Sequence, residues 1–254
     1  MRSAEQVKIA RPVPHWLPAT VISSTQLTQS SRSLGLDVPG WPGNIPGQHV
    51  DVRLTAPDGY QAVRSYSIAT SGTREQFELA VDRLHKGEVS PYLVDVAEVG
   101  DRVEIFGPLG GFFVWQPGES RPVQLIAGGS GVVPFVSMIR ARSAARAMVP
   151  FQLLYSVRSP ESALYREYLT DLSHGVEVDW IFTRKAPIGS ERKAGRLTAE
   201  DLDTRIIAAE HEPLIFLCGS TGFVEDIAQK LIERGYSRSL MKIERYGGSH
   251  GRSS

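Results

Sequence analysis

Leu125-Ile126-Ala127-Gly128-Gly129-Ser130-Gly131-Val132-Val133-Pro134-Phe135 is the stretch on which the reading of this chain turns. An apolar run feeds a glycine-rich corner, and the corner opens a helix expected over residues 135–147. Glycines let backbone N–H groups come close to a phosphate, and a helix N-terminus adds positive potential. A dinucleotide-binding turn is the first reading. The strict pattern G-x-G-x-x-G fails at its third glycine, however, because Pro134 stands there. The other reading is a tight strand-to-helix turn with Pro134 near the helix start, where its missing N–H costs little.

Downstream, apolar runs alternate with helical patterns. The runs are Pro122–Ala127, Phe151–Val157, Val176–Phe182, Pro213–Cys218 and Leu240–Ile243. Helices are expected over 135–147, 164–172, 199–207 and 223–234. This is βαβ grammar, hence a doubly wound parallel sheet with helices on both faces. Upstream the grammar differs. Thr20–Ile22, Ser33–Val38, His49–Leu54, Arg64–Ile68, Gln76–Val81 and Arg102–Ile105 alternate or are β-branched, and Pro-Gly or Asp-Gly turns separate most of them. Short strands at this spacing predict a small antiparallel barrel or sandwich. One helix interrupts it over 90–96, with Ser90 as N-cap and Pro91 at the first helical position. The expected division is a tail over 1–18, a β-barrel domain over 19–117, an α/β domain over 118–248 and a flexible tail over 249–254.

Lys and Arg number 28, as do Asp and Glu, so net charge is zero and nothing favours nucleic acid or an anionic membrane as partner. Cys218 is the single cysteine. It cannot form an internal disulfide, and a cysteine-ligated iron–sulfur cluster needs four thiolates, so none is expected here. Apolar runs of membrane-spanning length and a signal-peptide core are both missing, which predicts a soluble, cytoplasmic protein. The six histidines show no metal-ligand spacing, and His49 and His174 are read as ordinary strand or surface residues. No metal is expected.

Three further glycine-bearing or strand motifs join the opening stretch. Arg64-Ser65-Tyr66-Ser67 puts a cation, an aromatic ring and hydroxyls on one strand. Gly87-Glu88-Val89-Ser90 leads into a helix N-terminus, and Gly107-Pro108-Leu109-Gly110-Gly111-Phe112 forms another corner. Each alone also fits a half-exposed strand, a helix cap or a β-turn. Cys218-Gly219-Ser220-Thr221-Gly222-Phe223 and Glu244-Arg245-Tyr246-Gly247 complete an ordered set. In that order the chain resembles the ferredoxin–NADP reductase superfamily, in particular compact bacterial oxidoreductases and the reductase components of oxygenases, over residues 19–248. Such proteins pair a flavin-binding β-barrel with a nicotinamide-binding α/β domain.

The resemblance implies roles. Arg64 would pair with the flavin pyrophosphate, Tyr66 would pack on the isoalloxazine and ribityl region, and Ser67 would sit near flavin N5. Gly87, Val89 and Ser90 would offer donors to the pyrophosphate, with His85 and Lys86 either beside it or on a solvated turn. Gly129, Ser130 and Gly131 would line the nicotinamide dinucleotide, and Cys218 and Gly219 would border the nicotinamide. Glu244 and Tyr246 would return the carboxyl end to the flavin face. Ser67, Cys218 and Glu244 are the implied catalytic residues. Ser220 and Gly222 depart from the family's usual proline and larger residue, which leaves the loop beside the nicotinamide less defined.

The second α/β strand ends Tyr155-Ser156-Val157-Arg158 and the third ends Phe182-Thr183-Arg184. A hydroxyl and two arginines suit a 2′-phosphate, so Ser156, Arg158 and Arg184 favour NADP(H) over NAD(H). FAD rather than FMN follows from the resemblance alone. The implied activity is that of an FAD-dependent NAD(P)H oxidoreductase, a monomer that takes hydride onto flavin N5 and passes single electrons to ferredoxin, flavodoxin or an oxygenase iron–sulfur protein. A reductase of free flavin and a non-catalytic relay or sensing subunit are the alternatives.

Overall fold

The computed structural model describes residues 15–172 and 175–246. The chain before His15, the expected tail at 249–254, His174 and Gly247 lie outside the described residues.

Strands β1 (Leu17–Thr28), β2 (Ser31–Asp37), β3 (His49–Thr55), β4 (Gln61–Ser67), β5 (Gln76–Asp82) and β6 (Arg102–Leu109) form an antiparallel sheet in the order β4-β3-β6-β1-β2-β5. Just past β4, Ile68 bridges to Leu79 of β5, so the two outer strands meet and the sheet curls into a barrel. Alternation puts Leu34, Leu36, Val50, Val52, Leu79 and Val81 inside. The first strand begins at Leu17, two residues before the expected barrel boundary, and Trp16 already packs on Phe106 with ring centroids 5.6 Å apart.

The helix expected with Ser90 as its cap starts earlier. Helix α1 (Val89–Pro91) runs on as a wider π turn over Tyr92–Val96, and Glu88, not Ser90, precedes it. Ser90 Oγ is engaged elsewhere, accepting the Leu84 N–H at 3.0 Å. Pro91 is tolerated because first-turn N–H groups have no partner within a helix.

Strands β7 (Val123–Gly128), β8 (Phe151–Val157), β9 (Val176–Phe182), β10 (Leu214–Ser220) and β11 (Met241–Tyr246) form a parallel sheet ordered β11-β10-β7-β8-β9. The chain moves outward from β7 through β8 to β9, then returns to β10 on the other side of β7. The strand order thus reverses between β7 and β10, where the carboxyl ends of parallel strands leave a crevice. Apolar side chains alternate between the two faces of the sheet: Leu125, Leu153 and Phe216 on one, Ile126, Leu154 and Leu217 on the other.

Helix α2 (Val133–Ala144) starts two residues before the expected position, with Pro134 in its first turn. Every residue from Val133 to Ile139 is buried, as befits a helix apolar on all sides. One side faces the parallel sheet and the other faces the barrel. There Gly47, at φ +99°, leaves no room for a side chain: a Cβ would stand 2.1 Å from Phe113 O and 2.7 Å from Met138 Cε. By contrast, α5 (Thr221–Glu233) buries only the stripe Val224, Ile227 and Leu231.

Helix α3 is shorter than expected, Arg166–Thr170, because Tyr165 stands before it in the left-handed region at φ 56°. That conformation costs roughly 1–2 kcal/mol for a bulky residue. Burial of the ring and a 2.6 Å hydrogen bond from its hydroxyl to Glu78 offset it. Helix α4 (Ala199–Thr204) is capped reciprocally by Thr198 and Asp201. Among the described residues no helix is long and apolar enough to cross a membrane.

Candidate active site

The expected site residues gather in two clusters that meet at the seam between the sheets. The first is on the barrel. Arg64 and Tyr66 are two apart on β4 and share a pleat face. Arg64 reaches the start of α1, with its Nη2 3.2 Å from Glu88 Oε2, and Tyr60 donates to the same carboxylate at 2.7 Å. Tyr66 lies against Ser90, and burial raises its phenol well above the usual range. Val89 and Ser90 are buried, and a Cβ on Gly87 would meet Ser90 Oγ at 2.8 Å. A guanidinium, a ring and a helix start thus converge within one short arc.

The second cluster is at the carboxyl ends of β7 and β10. Gly129, at φ +57°, turns the chain out of β7 into the 3₁₀ turn Gly129–Val132 that leads to α2. Gly131 packs directly on β10, where an added Cβ would stand 2.4 Å from Cys218 O and 2.9 Å from Tyr246 Oη. Tyr246 Oη donates to Gly128 O and also faces Ser130. Gly128 and Gly219 both lie under the Phe223 ring, 2.7 Å from where their Cβ atoms would be. Cys218 is fully buried in register with Ala127 and Glu244. Burial, and secondly the Glu244 charge, push its thiol pKa up. The thiol is therefore neutral and small, not a nucleophile.

His49 joins the clusters, and this corrects its reading as an ordinary strand residue. It lies opposite Ser67 in the β3–β4 pair, and its Nδ1 is 3.4 Å from Glu244 Oε1 across the seam. His49 Nδ1 and Glu244 Oε2 are both buried without a hydrogen-bond partner. Buried polar atoms are nearly always satisfied, so this pair is suited to receive a polar group between the sheets. The local sequence carries no such signal; the contact depends on antiparallel register and on the return of β11.

Arg158 and Arg184 stand apart from both clusters, whereas Ser156 adjoins the second. Ser156 is buried in register with Gly128, while Arg158 and Arg184 are exposed at the ends of β8 and β9. Arg158 O accepts the N–H groups of Arg184 at 2.9 Å and Lys185 at 3.1 Å, so the two arginines spring from hydrogen-bonded neighbours. A carboxylate absent from the strand ends themselves is also present here: Glu161, paired with Lys185 at 3.2 Å. Two surface grooves, one of ≈ 330 Å³ between Asn44 and the segment 70–76 and one of ≈ 440 Å³ along β1, β2 and β5, include no residue of either cluster. The site is defined by converging side chains rather than by a closed cavity.

The donor set fits a flavin. A cation adjoins a helix start, as a pyrophosphate would need, a half-buried tyrosine ring offers a face, and orphaned polar atoms line the seam. The glycines of the second cluster leave a cradle that a Cβ would fill.

Comparison with known proteins agrees. Residues 18–114 match the family model described as an oxidoreductase FAD-binding domain, and residues 125–229 match that of an oxidoreductase NAD-binding domain. The chain is 32% identical over 211 residues to ferredoxin–NADP reductase B of Sorangium cellulosum, covering 79% of this chain and 84% of that one. It is 28% identical over 228 residues to NADH-cytochrome b5 reductase 1 of Lodderomyces elongisporus, covering 86% and 75%. It spans about half, 52%, of the reductase component of propane 2-monooxygenase from Mycolicibacterium smegmatis, at 27% identity over 71% of this chain. The FAD/NAD-binding domain of nitric oxide dioxygenase from Vibrio cholerae has the same fold, with a TM-score of 0.80, 22% identity, and coverage of 91% of this chain and 99% of that one.

Proposed function

The chain belongs to the ferredoxin–NADP reductase superfamily and is an FAD- and NAD-binding oxidoreductase, and from that premise we propose that it is an NADPH-oxidising flavoenzyme serving a separate one-electron carrier. The observation that carries the proposal is the meeting of the two clusters, with Ser67 opposite His49, His49 facing Glu244, and Glu244 beside Cys218. Residues 19–117 would form the flavin-binding unit and 118–248 the nicotinamide unit, a division the matched spans support.

Bound FAD would supply the exchange of a two-electron hydride for single electrons. The protein's part is placement. Arg64, with Val89 and Ser90 at the start of α1, would hold the pyrophosphate, a planar cation being suited to paired phosphate oxygens. Tyr66 would cover the ring system, and Ser67 would stand at its reactive edge. Gly129, Ser130 and Gly131 would let the nicotinamide nucleotide approach the backbone. Cys218 and Gly219 would form an uncharged wall beside the nicotinamide. Glu244 and Tyr246 would close the carboxyl side, Tyr246 fixing the loop through Gly128.

NADPH is favoured over NADH by Arg158 and Arg184, although Glu161 nearby opposes a 2′-phosphate unless Lys185 keeps it engaged. The carrier is proposed as ferredoxin, flavodoxin or an oxygenase iron–sulfur protein. The names of the Sorangium and Mycolicibacterium relatives support that class, and the lone cysteine keeps a cysteine-ligated cluster out of this chain. A monomer is proposed. Anaerobic stopped-flow absorbance tests the reading: flavin-loaded protein should bleach with NADPH faster and at lower concentration than with NADH. Failure to bind flavin, or to bleach with either nucleotide, would refute it.

A further inference from the structure

Ser137 and Arg140 on α2, with Tyr165 just before α3, bolt the helix that follows the glycine loop to the barrel, at the segment that follows Ser67 and at Glu78 of β5. Ser137, one turn into α2, donates its hydroxyl to Thr70 O at 2.7 Å. Arg140, one turn further on, donates through Nη1 to Ala69 O at 3.1 Å and to Glu78 Oε2 at 2.9 Å. Tyr165 donates to the other Glu78 oxygen at 2.6 Å, and its ring and that of Tyr168 each lie 5.3 Å from the Arg140 guanidinium. Ala69 and Thr70 are the second and third residues after Ser67 and are themselves tied to β5, Ala69 N–H to Glu78 O at 2.8 Å and Glu78 N–H to Thr70 Oγ1 at 3.1 Å. Gly47 and Met138 bring the same two bodies into contact from the neighbouring loop.

We infer that Arg140, together with Ser137 and Glu78, is a positioning residue that sets the distance between Ser67 on the barrel and Gly129–Gly131 on the α/β sheet. The guanidinium suits this task. It is planar, it is held between a backbone carbonyl and a carboxylate, and two rings restrict its swing. Lysine, with a point charge on a loose stem, could keep the attraction but not the angle. Helix α2 is continuous from Pro134 to Arg140 and buried as far as Ile139, so a shift at Arg140 is passed along it to the glycine loop. Reactions that need two bound groups in contact lose about 100-fold in rate for a misplacement of about 1 Å. The inference rests on the proposed nicotinamide–flavin reading for its kinetic consequence, but the latch itself does not.

The test uses the full-length flavin-loaded protein, with Arg140→Met, Arg140→Lys and Ser137→Ala. For Arg140→Met the limiting rate of flavin reduction should fall at least ten-fold, while flavin affinity and the nicotinamide dissociation constant stay within about three-fold. Arg140→Lys should recover part of that loss, and Ser137→Ala should lose two- to five-fold. A second readout needs no turnover: hydrogen exchange at the Ala69 and Glu78 amides should quicken in both Arg140→Met and Ser137→Ala. A merely structural role would lower the melting temperature and leave the limiting rate unchanged. Wild-type limiting rates and wild-type amide exchange in the folded variants overturn the inference. If Arg140→Met does not fold, Ser137→Ala decides on the same two readouts. A wild-type protein that never bleaches with a nicotinamide refutes the function instead, and the exchange result then still judges the latch.

Discussion

Replacing Gly131 by alanine is the sharpest perturbation the site offers. The new Cβ would stand 2.4 Å from Cys218 O and 2.6 Å from Cys218 C, against ordinary contact from 3.4 Å. Loop and strand must part by about 1 Å, and neither of these atoms can swing aside, since both are backbone. Gly131 has no positive φ, so the effect is steric and not conformational. Overpacking of this kind costs about 1–3 kcal/mol of stability. A displacement of about 1 Å between reacting groups costs on the order of 100-fold in rate. The proposed flavin-pyrophosphate cluster of Arg64, Val89 and Ser90 is on the barrel, whereas the clash is with β10. Anaerobic stopped-flow with NADPH should therefore show a limiting rate lower by about 100-fold, or a nicotinamide affinity too weak to saturate, with flavin retained within about three-fold. Gly131→Asp, which adds a charge next to a phosphate-bearing ligand, should be worse. A folded Gly131→Ala protein with wild-type kinetics, or one that loses flavin and nicotinamide equally, would refute the assignment of this loop.

Arg64→Ala should weaken flavin binding by roughly 10- to 100-fold, the worth of a hydrogen bond to a charged group, measured by fluorescence titration of the apoprotein. Thermal stability should hardly change, because the exposed Arg64–Glu88 pair contributes little to folding. Cys218, buried and with its thiol pKa raised, should resist iodoacetamide at pH 8 in the native protein and react on unfolding; rapid native alkylation would contradict its placement. Burial alone would raise the Asp201 carboxyl, but Arg192 at 2.7 Å and the Thr198 cap hold it down to about 2. A depressed folded-state pKa stabilises above the unfolded value of 3.8 and loses that contribution as pH falls through about 2. Asp201→Asn should thus cost on the order of 3 kcal/mol at pH 7 in urea unfolding, since it leaves Arg192 without its carboxylate. The difference from wild type should narrow between pH 4 and pH 2.

Much of the fold was legible because period-two and βαβ patterns are local. Each of the eleven strands among the described residues overlaps a run that alternates, is β-branched or is continuously apolar, and glycine corners stand at the carboxyl ends of β6, β7 and β10. What could not be read depends on partners distant in sequence. His49 looked ordinary because its meaning comes from register with Ser67 and from β11, almost two hundred residues later. Ser90 had the residue type of a cap, but a neighbouring amide occupies its hydroxyl. Tyr165 makes the expected helix start late through a left-handed backbone that no propensity favours; the carboxylate that rewards it is on a barrel strand. Arg140 sat among other arginines of an unremarkable helix. Pro134, which first spoiled the fingerprint, lies in the first turn of α2, where a proline is harmless.

The burial of α2 on every side has a consequence for how such chains are recombined. From Val133 to Ile139 the helix has no free face: it is core for the parallel sheet and, through Met138 against Gly47, wall for the barrel. A chimera joined at the linker between β6 and β7 would transplant one half of a matched surface. Its success should depend less on where the cut falls than on whether the incoming barrel brings a glycine at the Gly47 notch and acceptors for Ser137 and Arg140. The two halves are separate in pattern and topology, yet they are inherited as a fitted pair.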